Sequence, residues 1–86
     1  MKTVTINVFL LQRNHYKFAI NRFNEGLFAV QGHCTFNWWI MDDEMDCKGV
    51  IKPVVINHLL ECGFLVKRDN RLYKADDAPV INFGEV

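Results

Sequence analysis

Residues 53–75 constrain the fold more than any other part of the chain. Pro53 suits the first turn of a helix, because the N–H that proline lacks would be unpaired there in any case. Apolar residues follow at helical spacing, and Gly63 is typical of the left-handed residue that ends a helix. Asp69-Asn70 then tolerate the positive φ of a two-residue turn. The segment predicts a helix that leads through a glycine into a β-hairpin.

The turn also fixes which residues of the hairpin face each other. With Asp69-Asn70 at its centre, Val66 is predicted to lie opposite Tyr73 on an apolar face that is turned toward the core. Phe64 and Ala75 extend this apolar face. The outward face is expected to carry the pairs Lys67–Leu72 and Leu65–Lys74, with Arg68 and Arg71 at the tip.

Both ends of the chain predict strands. Residues 3–11 alternate between apolar and polar side chains, which is typical of a half-buried strand. The apolar face of this strand would carry Val4, Ile6, Val8 and Leu10. After Pro79, residues 80–83 predict an edge strand.

Residues 14–31 fit two patterns. Six apolar residues fall on one helical stripe, which favours a helix that Asn14 would cap and Gly32 would end. The alternative is a hairpin, because residues 16–20 also alternate and residues 24–26 suit a hairpin loop.

Residues 36–47 place an aromatic cluster before an acidic one. Thr35 or Asn37 would cap a short helix here, and the acidic residues that follow are expected in a solvated turn, because acids oppose the dipole at a helix C-terminus.

The whole chain of 86 residues is expected to form a single α+β domain with two or three helices. Half of its residues are hydrophobic, which excludes a disordered chain. The predicted core residues are Ile6, Val8, Ile20, Phe23, Val55, Leu59, Leu60, Phe64, Val66 and Tyr73. No apolar run is long enough to span a membrane, and three cysteines is an odd number. We therefore expect a cytoplasmic protein with reduced, buried thiols and no membrane partner.

Residues 54–74 resemble the recognition helix and wing of winged helix-turn-helix domains. The shared pattern is a pair of leucines, an acidic residue, a small residue and Gly63, followed by an apolar strand, a basic turn and an aromatic return strand. The resemblance implies a winged-helix-like DNA-binding module with a regulatory role, although many winged helices bind protein instead.

Charge is unevenly distributed along the chain and supports a nucleic-acid partner. Residues 48–75 carry six basic groups against two acidic ones, whereas the chain as a whole has no net charge. Four of these basic groups lie on the hairpin, where phosphate contacts are expected. The predicted nucleic-acid-binding residues are Lys52, Asn57, Lys67, Arg68, Arg71 and Lys74.

An enzyme, a metal site and a cofactor are not expected. His33 and Cys34 are adjacent, so in a strand they would point to opposite faces and not form a catalytic pair. The His and Cys residues include no CxxC or HxxxH spacing, and the chain has no glycine-rich phosphate loop.

A second interpretation is a small protein-binding inhibitor or adaptor, of the size seen in phage and mobile elements. At least one of two adjacent tryptophans is expected to be partly exposed, and an exposed aromatic side chain beside carboxylates suits a partner with a basic surface. The residues that would carry this binding are Trp38, Trp39, Asp42, Asp43 and Glu44. The sequence is also compatible with a homodimer.

Overall fold

A computed structural model describes residues 2–32 and 36–84, and within these residues the chain forms two helices and seven strands. In chain order these are β1 (Thr3–Asn7), α1 (Leu10–Asn24), β2 (Phe28–Gln31), β3 (Trp38–Met41), β4 (Cys47–Ile51), α2 (Pro53–Glu61), β5 (Leu65–Arg68), β6 (Arg71–Lys74) and β7 (Val80–Gly84). The α+β class, the strands near both ends and the C-terminal hairpin are therefore confirmed. No helix in the described part of the chain is long and apolar enough to cross a membrane.

One antiparallel sheet of five strands dominates the fold, in the order β4-β3-β2-β6-β5. Strands β1 and β7 form a separate parallel pair. Both helices and the β1–β7 pair bury their apolar side chains against one face of the large sheet, which we call the inner face. The core on this face contains Ile6, Val8, Tyr16, Ala19, Phe23, Ala29, Ile40, Ile51, Val55, Ile56, Leu59, Phe64, Leu65 and Leu72. The molecule is only 19 Å across its narrowest dimension, which is room for about one sheet and one layer of helices.

Helix α2 and the hairpin after it follow the sequence closely. The N–H of Gly63 bonds to the carbonyl of Leu60, and the N–H of Phe64 bonds to the carbonyl of Leu59, which together form a Schellman motif. Gly63 has the required positive φ of 84°. Asp69 and Asn70 have φ values of 51° and 64°, as a type I′ hairpin turn requires. The predicted cross-strand pairs all form.

The hairpin nevertheless turns the other face toward the core. Leu72 is completely buried and Leu65 nearly so, whereas Val66 and Tyr73 are only half-buried on the opposite face. The prediction of an inward Val66–Tyr73 pair is therefore wrong. Leu72 lies opposite Ala29 of β2, a core residue, so the pairing of β6 with β2 fixes which face meets the helices. Of the other predicted core residues, Ile20 and Leu60 are half-buried against the core.

The helix predicted over residues 14–31 is confirmed for residues 14–24, but its predicted ends at Asn14 and Gly32 are wrong. Helix α1 starts at Leu10, after Phe9 in the N-cap position, so Leu10 belongs to the helix and is exposed. The helix ends in a second Schellman motif at Gly26. The chain then continues as β2, because Gly26 satisfies the last carbonyls while reversing the chain.

The short helix predicted from Thr35 or Asn37 is also wrong. Thr35 lies outside the described residues, and Asn37 directly precedes β3. Aromatic and β-branched residues at 38–40 favour a strand, and β3 pairs with both β2 and β4. The acidic residues that follow form the exposed loop between β3 and β4, as expected.

Candidate functional site

The face of the large sheet that is turned away from the helices, which we call the outer face, carries exposed aromatic and basic side chains. One row crosses all five strands in register. From β4 to β5 it consists of Val50, Trp39, Val30, Arg71 and Arg68. Trp39 is 38% exposed and Val50 is 53% exposed. The apolar side chains of both helices lie on the inner face, so this row has no covering layer in the described part of the chain.

A second row of the outer face, next to the first, contains Phe28 and Tyr73. The Phe28 ring is 4% exposed and stacks at a tilt on Tyr73, with the ring centroids 5.6 Å apart. The guanidinium carbon of Arg71 lies 4.7 Å from the Phe28 centroid. Arg71 is therefore held over an aromatic ring, where a cation is attracted by the negative ring face.

The two arginines of the hairpin tip lie directly opposite each other, Arg68 on β5 and Arg71 on β6. Like charges at facing positions of a sheet destabilise it. Within residues 2–32 and 36–84, no carboxylate forms an ion pair with either arginine. The nearest acid along the chain is Asp69 in the turn itself. The hairpin tip thus carries positive charge that the described protein does not neutralise.

A concavity of about 500 Å³ runs along the outer face from this tip toward the β3–β4 loop. It is lined by Val30, Gln31, Trp38, Trp39, Met41, Met45, Lys67, Asp69, Asn70 and Arg71. The structure thereby brings together two sets of residues that sequence analysis assigned to different functions. The predicted nucleic-acid contacts Lys67 and Arg71 line one concavity with the predicted protein contacts Trp38 and Trp39, although Trp38 is half-buried and packs mainly against the core.

The acidic loop borders the far end of this concavity, where Met45 lies. The Asp42 carboxylate accepts hydrogen bonds of 2.9 Å from the N–H groups of both Glu44 and Asp46. The bond from Asp46, then that from Glu44, and Lys48 at 3.6 Å lower the pKa of Asp42. Acidic oxygens of Asp42, Glu44 and Asp46 lie within 4.8 Å of one another. Through these hydrogen bonds, the carboxylate of Asp42 holds the backbone of the loop in place. Asp43 and Glu44 are exposed.

Three of the predicted nucleic-acid contacts lie elsewhere. Asn57 is exposed on α2, on the inner side of the sheet. Lys52 precedes α2 and lines a small concavity with residues of α1. The ammonium group of Lys74 lies 5.9 Å from the centroid of Phe64, also on the inner side. Of the predicted set, Arg68 and Arg71 face each other on the outer face, and Lys67, which pairs with the inward-facing Leu72, lines the same concavity as Arg71.

The thiols do not form the buried set that was expected. Cys47 is exposed, which contradicts that expectation, and Cys62 is half-buried. His33 and Cys34 lie outside the described residues. The Nδ1 atom of His58 and the hydroxyl of Tyr16 are 2.9 Å apart and form a hydrogen bond. This bond links α2 to α1.

Another exposed apolar patch lies at the start of α1. Phe9, Leu10 and Leu11 are 65–81% exposed, and Val54 at the start of α2 lines one small concavity with Leu11. The concavity beside this patch is about 180 Å³, much smaller than that on the outer face. Specific sites combine apolar walls with converging polar groups, and the outer face has both.

The apolar members of the site, Val30 and Met41, and the supporting ring of Phe28 were not predicted from the sequence. Phe28 and Val30 are residue types that favour strands, but the helical stripe over the longer segment outweighed them. Comparisons with protein-family models, with curated proteins and with solved structures found no match to this chain.

Proposed function

We propose that this protein is a small, non-catalytic regulatory module that binds nucleic acid through the β5–β6 hairpin and the adjoining outer face. The observation that carries the proposal is the facing pair Arg68–Arg71, whose charge no carboxylate in the described residues offsets. Guanidinium groups bind phosphate through paired N–H donors. A phosphate at the hairpin tip would remove the repulsion between the two arginines.

The resemblance to winged-helix domains agrees with this proposal only for the hairpin. In this chain α2 follows strand β4 directly after Lys52, so the element before the helix is a hairpin and not a helix. The exposed residues of α2 include Asn57 and Glu61 but no lysine or arginine. The proposed contacts therefore lie on the wing and the sheet, and we leave Lys52, Asn57 and Lys74 out of the binding set.

Salt dependence of binding tests the proposal. Fluorescence anisotropy with labelled single-stranded and duplex oligonucleotides should detect binding at 50 mM salt that weakens strongly at 200 mM. The variant Arg68→Gln/Arg71→Gln keeps polar side chains at both positions and removes both charges. It should reduce the slope of log affinity against log salt by roughly 0.7–0.9 for each lost phosphate contact.

The matched control is Lys52→Gln, which removes one positive charge from the other side of the sheet. It should leave the slope unchanged. If no oligonucleotide binds even at 50 mM salt, the proposed function is wrong. The exposed ring of Trp39 and the acidic loop would then favour the second candidate, a protein partner with a basic surface.

A further inference from the structure

Trp39 occupies the middle of the open outer face on a rigid strand. Strand β3 is paired on both sides, and its inner residue Ile40 is completely buried. The neighbours of Trp39 across the strands are the aliphatic residues Val50 and Val30. The ring is thus fixed by the sheet while 38% of the residue stays exposed. A fixed, partly exposed aromatic ring is a surface on which a planar group can stack at low entropic cost.

The concavity joins this ring to the basic tip. Trp39, Lys67 and Arg71 all line it, and Trp39 lies in one row with Arg71, with Val30 between them. A single strand of nucleic acid presents the same alternation, since each planar base is followed by a phosphate. We infer that the ligand is single-stranded nucleic acid, with one base stacked on Trp39 and the adjoining phosphates on Arg68 and Arg71. This inference rests on the proposed function and names its substrate class.

A duplex does not fit this arrangement. Its bases are paired and stacked inside, so their faces cannot reach a tryptophan on a sheet. A duplex reader of the winged-helix kind inserts a helix into the major groove. Here α2 lies on the inner side of the sheet, opposite the face that carries Arg68 and Arg71.

The charges around the concavity limit the length of strand in contact. Asp69 borders the basic end, and Asp43 and Glu44 belong to the loop at the other end. Phosphates that extend past either end would meet like charges. We therefore expect affinity to stop increasing after a few nucleotides.

The fluorescence of Trp39 provides a direct test. The variant Trp38→Phe leaves Trp39 as the sole tryptophan, and oligo(dT) or oligo(U) of a few nucleotides should quench its emission on binding. An abasic oligonucleotide of equal length should bind through phosphates without quenching, and a duplex should bind more weakly than the single strand. Comparing oligo(dT) with oligo(U) distinguishes DNA from RNA as the source.

Substitution of Trp39 separates stacking from charge. Trp39→Leu keeps an apolar side chain, so the sheet should fold, but it should weaken binding of labelled oligo(dT) or oligo(U) by about 5- to 150-fold, which corresponds to the loss of one stacked base. The slope of affinity against salt should not change. Trp39→Phe should restore most of the affinity, because a phenyl ring still stacks.

The outcomes separate this inference from the proposed function. If a duplex binds as tightly as the single strand, or if Trp39→Leu binds like the wild type while Arg68→Gln/Arg71→Gln does not, the stacking inference is wrong and nucleic-acid binding stands. If no oligonucleotide binds, both are wrong, and a protein partner becomes the better explanation.

Discussion

At the residue scale, one polar contact joins the two helices beside the hydrophobic core. The Tyr16 hydroxyl lies 2.9 Å from His58 Nδ1 and joins the two helices. Tyr16 is buried, and its ring also contacts the rings of His58 and Phe83 edge-on. Burial, and secondarily the nearby Cys62, raise the pKa of Tyr16 above its usual value of 10.0.

Replacing Tyr16 with Phe should lower the free energy of unfolding by about 1 kcal/mol, the usual value of one such hydrogen bond. Because the pKa of Tyr16 is raised, the stability of the protein should also depend on pH. Because the folded state holds the phenol proton more tightly, stability is unaffected below pH 10 and falls above it, where the unfolded chain releases that proton first. Urea unfolding from pH 8 to 11 should show a steeper alkaline loss for the wild type than for Tyr16→Phe. Equal slopes would contradict this role.

The Asp42 carboxylate should stabilise the β3–β4 loop most strongly while it is ionised. Its pKa is lowered from 3.8, so its contribution is present above that pH and is lost as the pH falls through the folded pKa. NMR titration should show the amide protons of Glu44 and Asp46 shifting together with the carboxyl group. Asp42→Asn keeps an oxygen acceptor and should abolish the titration, whereas Asp42→Ala should also lose the loop geometry. Amide shifts in Asp42→Asn that still follow a titration near pH 3.8 would show that another acid governs the loop.

At the element scale, both helices end in a Schellman motif. Gly26 and Gly63 each stand after the C-cap residue with positive φ and donate to the carbonyl three residues earlier. A strand of the large sheet begins two residues after each glycine. The positions of these two glycines therefore decide where helix ends and sheet begins.

Gly63→Ala should destabilise the protein by about 1–2 kcal/mol, because the left-handed conformation is costly for a residue with a Cβ. Steric overlap does not contribute, since a Cβ at this position would meet nothing within 4 Å. Thermal unfolding followed by circular dichroism measures the effect. The matched control is Glu61→Ala, an exposed helical position with ordinary φ, which should change stability by less than about 0.5 kcal/mol. Equal effects of the two substitutions would exclude the conformational explanation.

At the scale of the whole molecule, two functions proposed from separate parts of the sequence share one surface. The basic tip and the acidic loop lie at opposite ends of the same concavity, with Trp39 between them. Loss of Trp39 would therefore weaken binding of either kind of partner. The acidic loop discriminates between the two, because it repels phosphates and attracts a basic protein.

Asp43→Asn/Glu44→Gln should thus raise the affinity for single-stranded oligonucleotides at low salt. Exposed charge pairs contribute about 0.2–1 kcal/mol, so the gain should be roughly 1.5- to 5-fold, and it should disappear as salt screens the charges. Anisotropy titrations at two salt concentrations measure it. Weaker capture of a basic partner protein by the same variant, with no effect on oligonucleotides, would instead support the protein-binding function.

The sequence by itself determined the features that depend on neighbouring residues. The helix after Pro53, its end at Gly63, the turn at Asp69-Asn70 and the register of the hairpin all follow from local backbone preferences, and the structure has each of them. The partial exposure of one tryptophan also followed from adjacency alone, since neighbouring residues of a strand face opposite sides.

Only the tertiary structure decided which face of the hairpin is buried and which residues form the site. Either face of β5–β6 offers apolar side chains, and the pairing of β6 with β2, some forty residues away along the chain, selects the face of Leu72. The same long-range pairing places Arg71 in one row with Trp39. Local preferences set helix ends and turns, but contacts between distant strands set which side chains share a surface, because that choice depends on partners that no local pattern specifies.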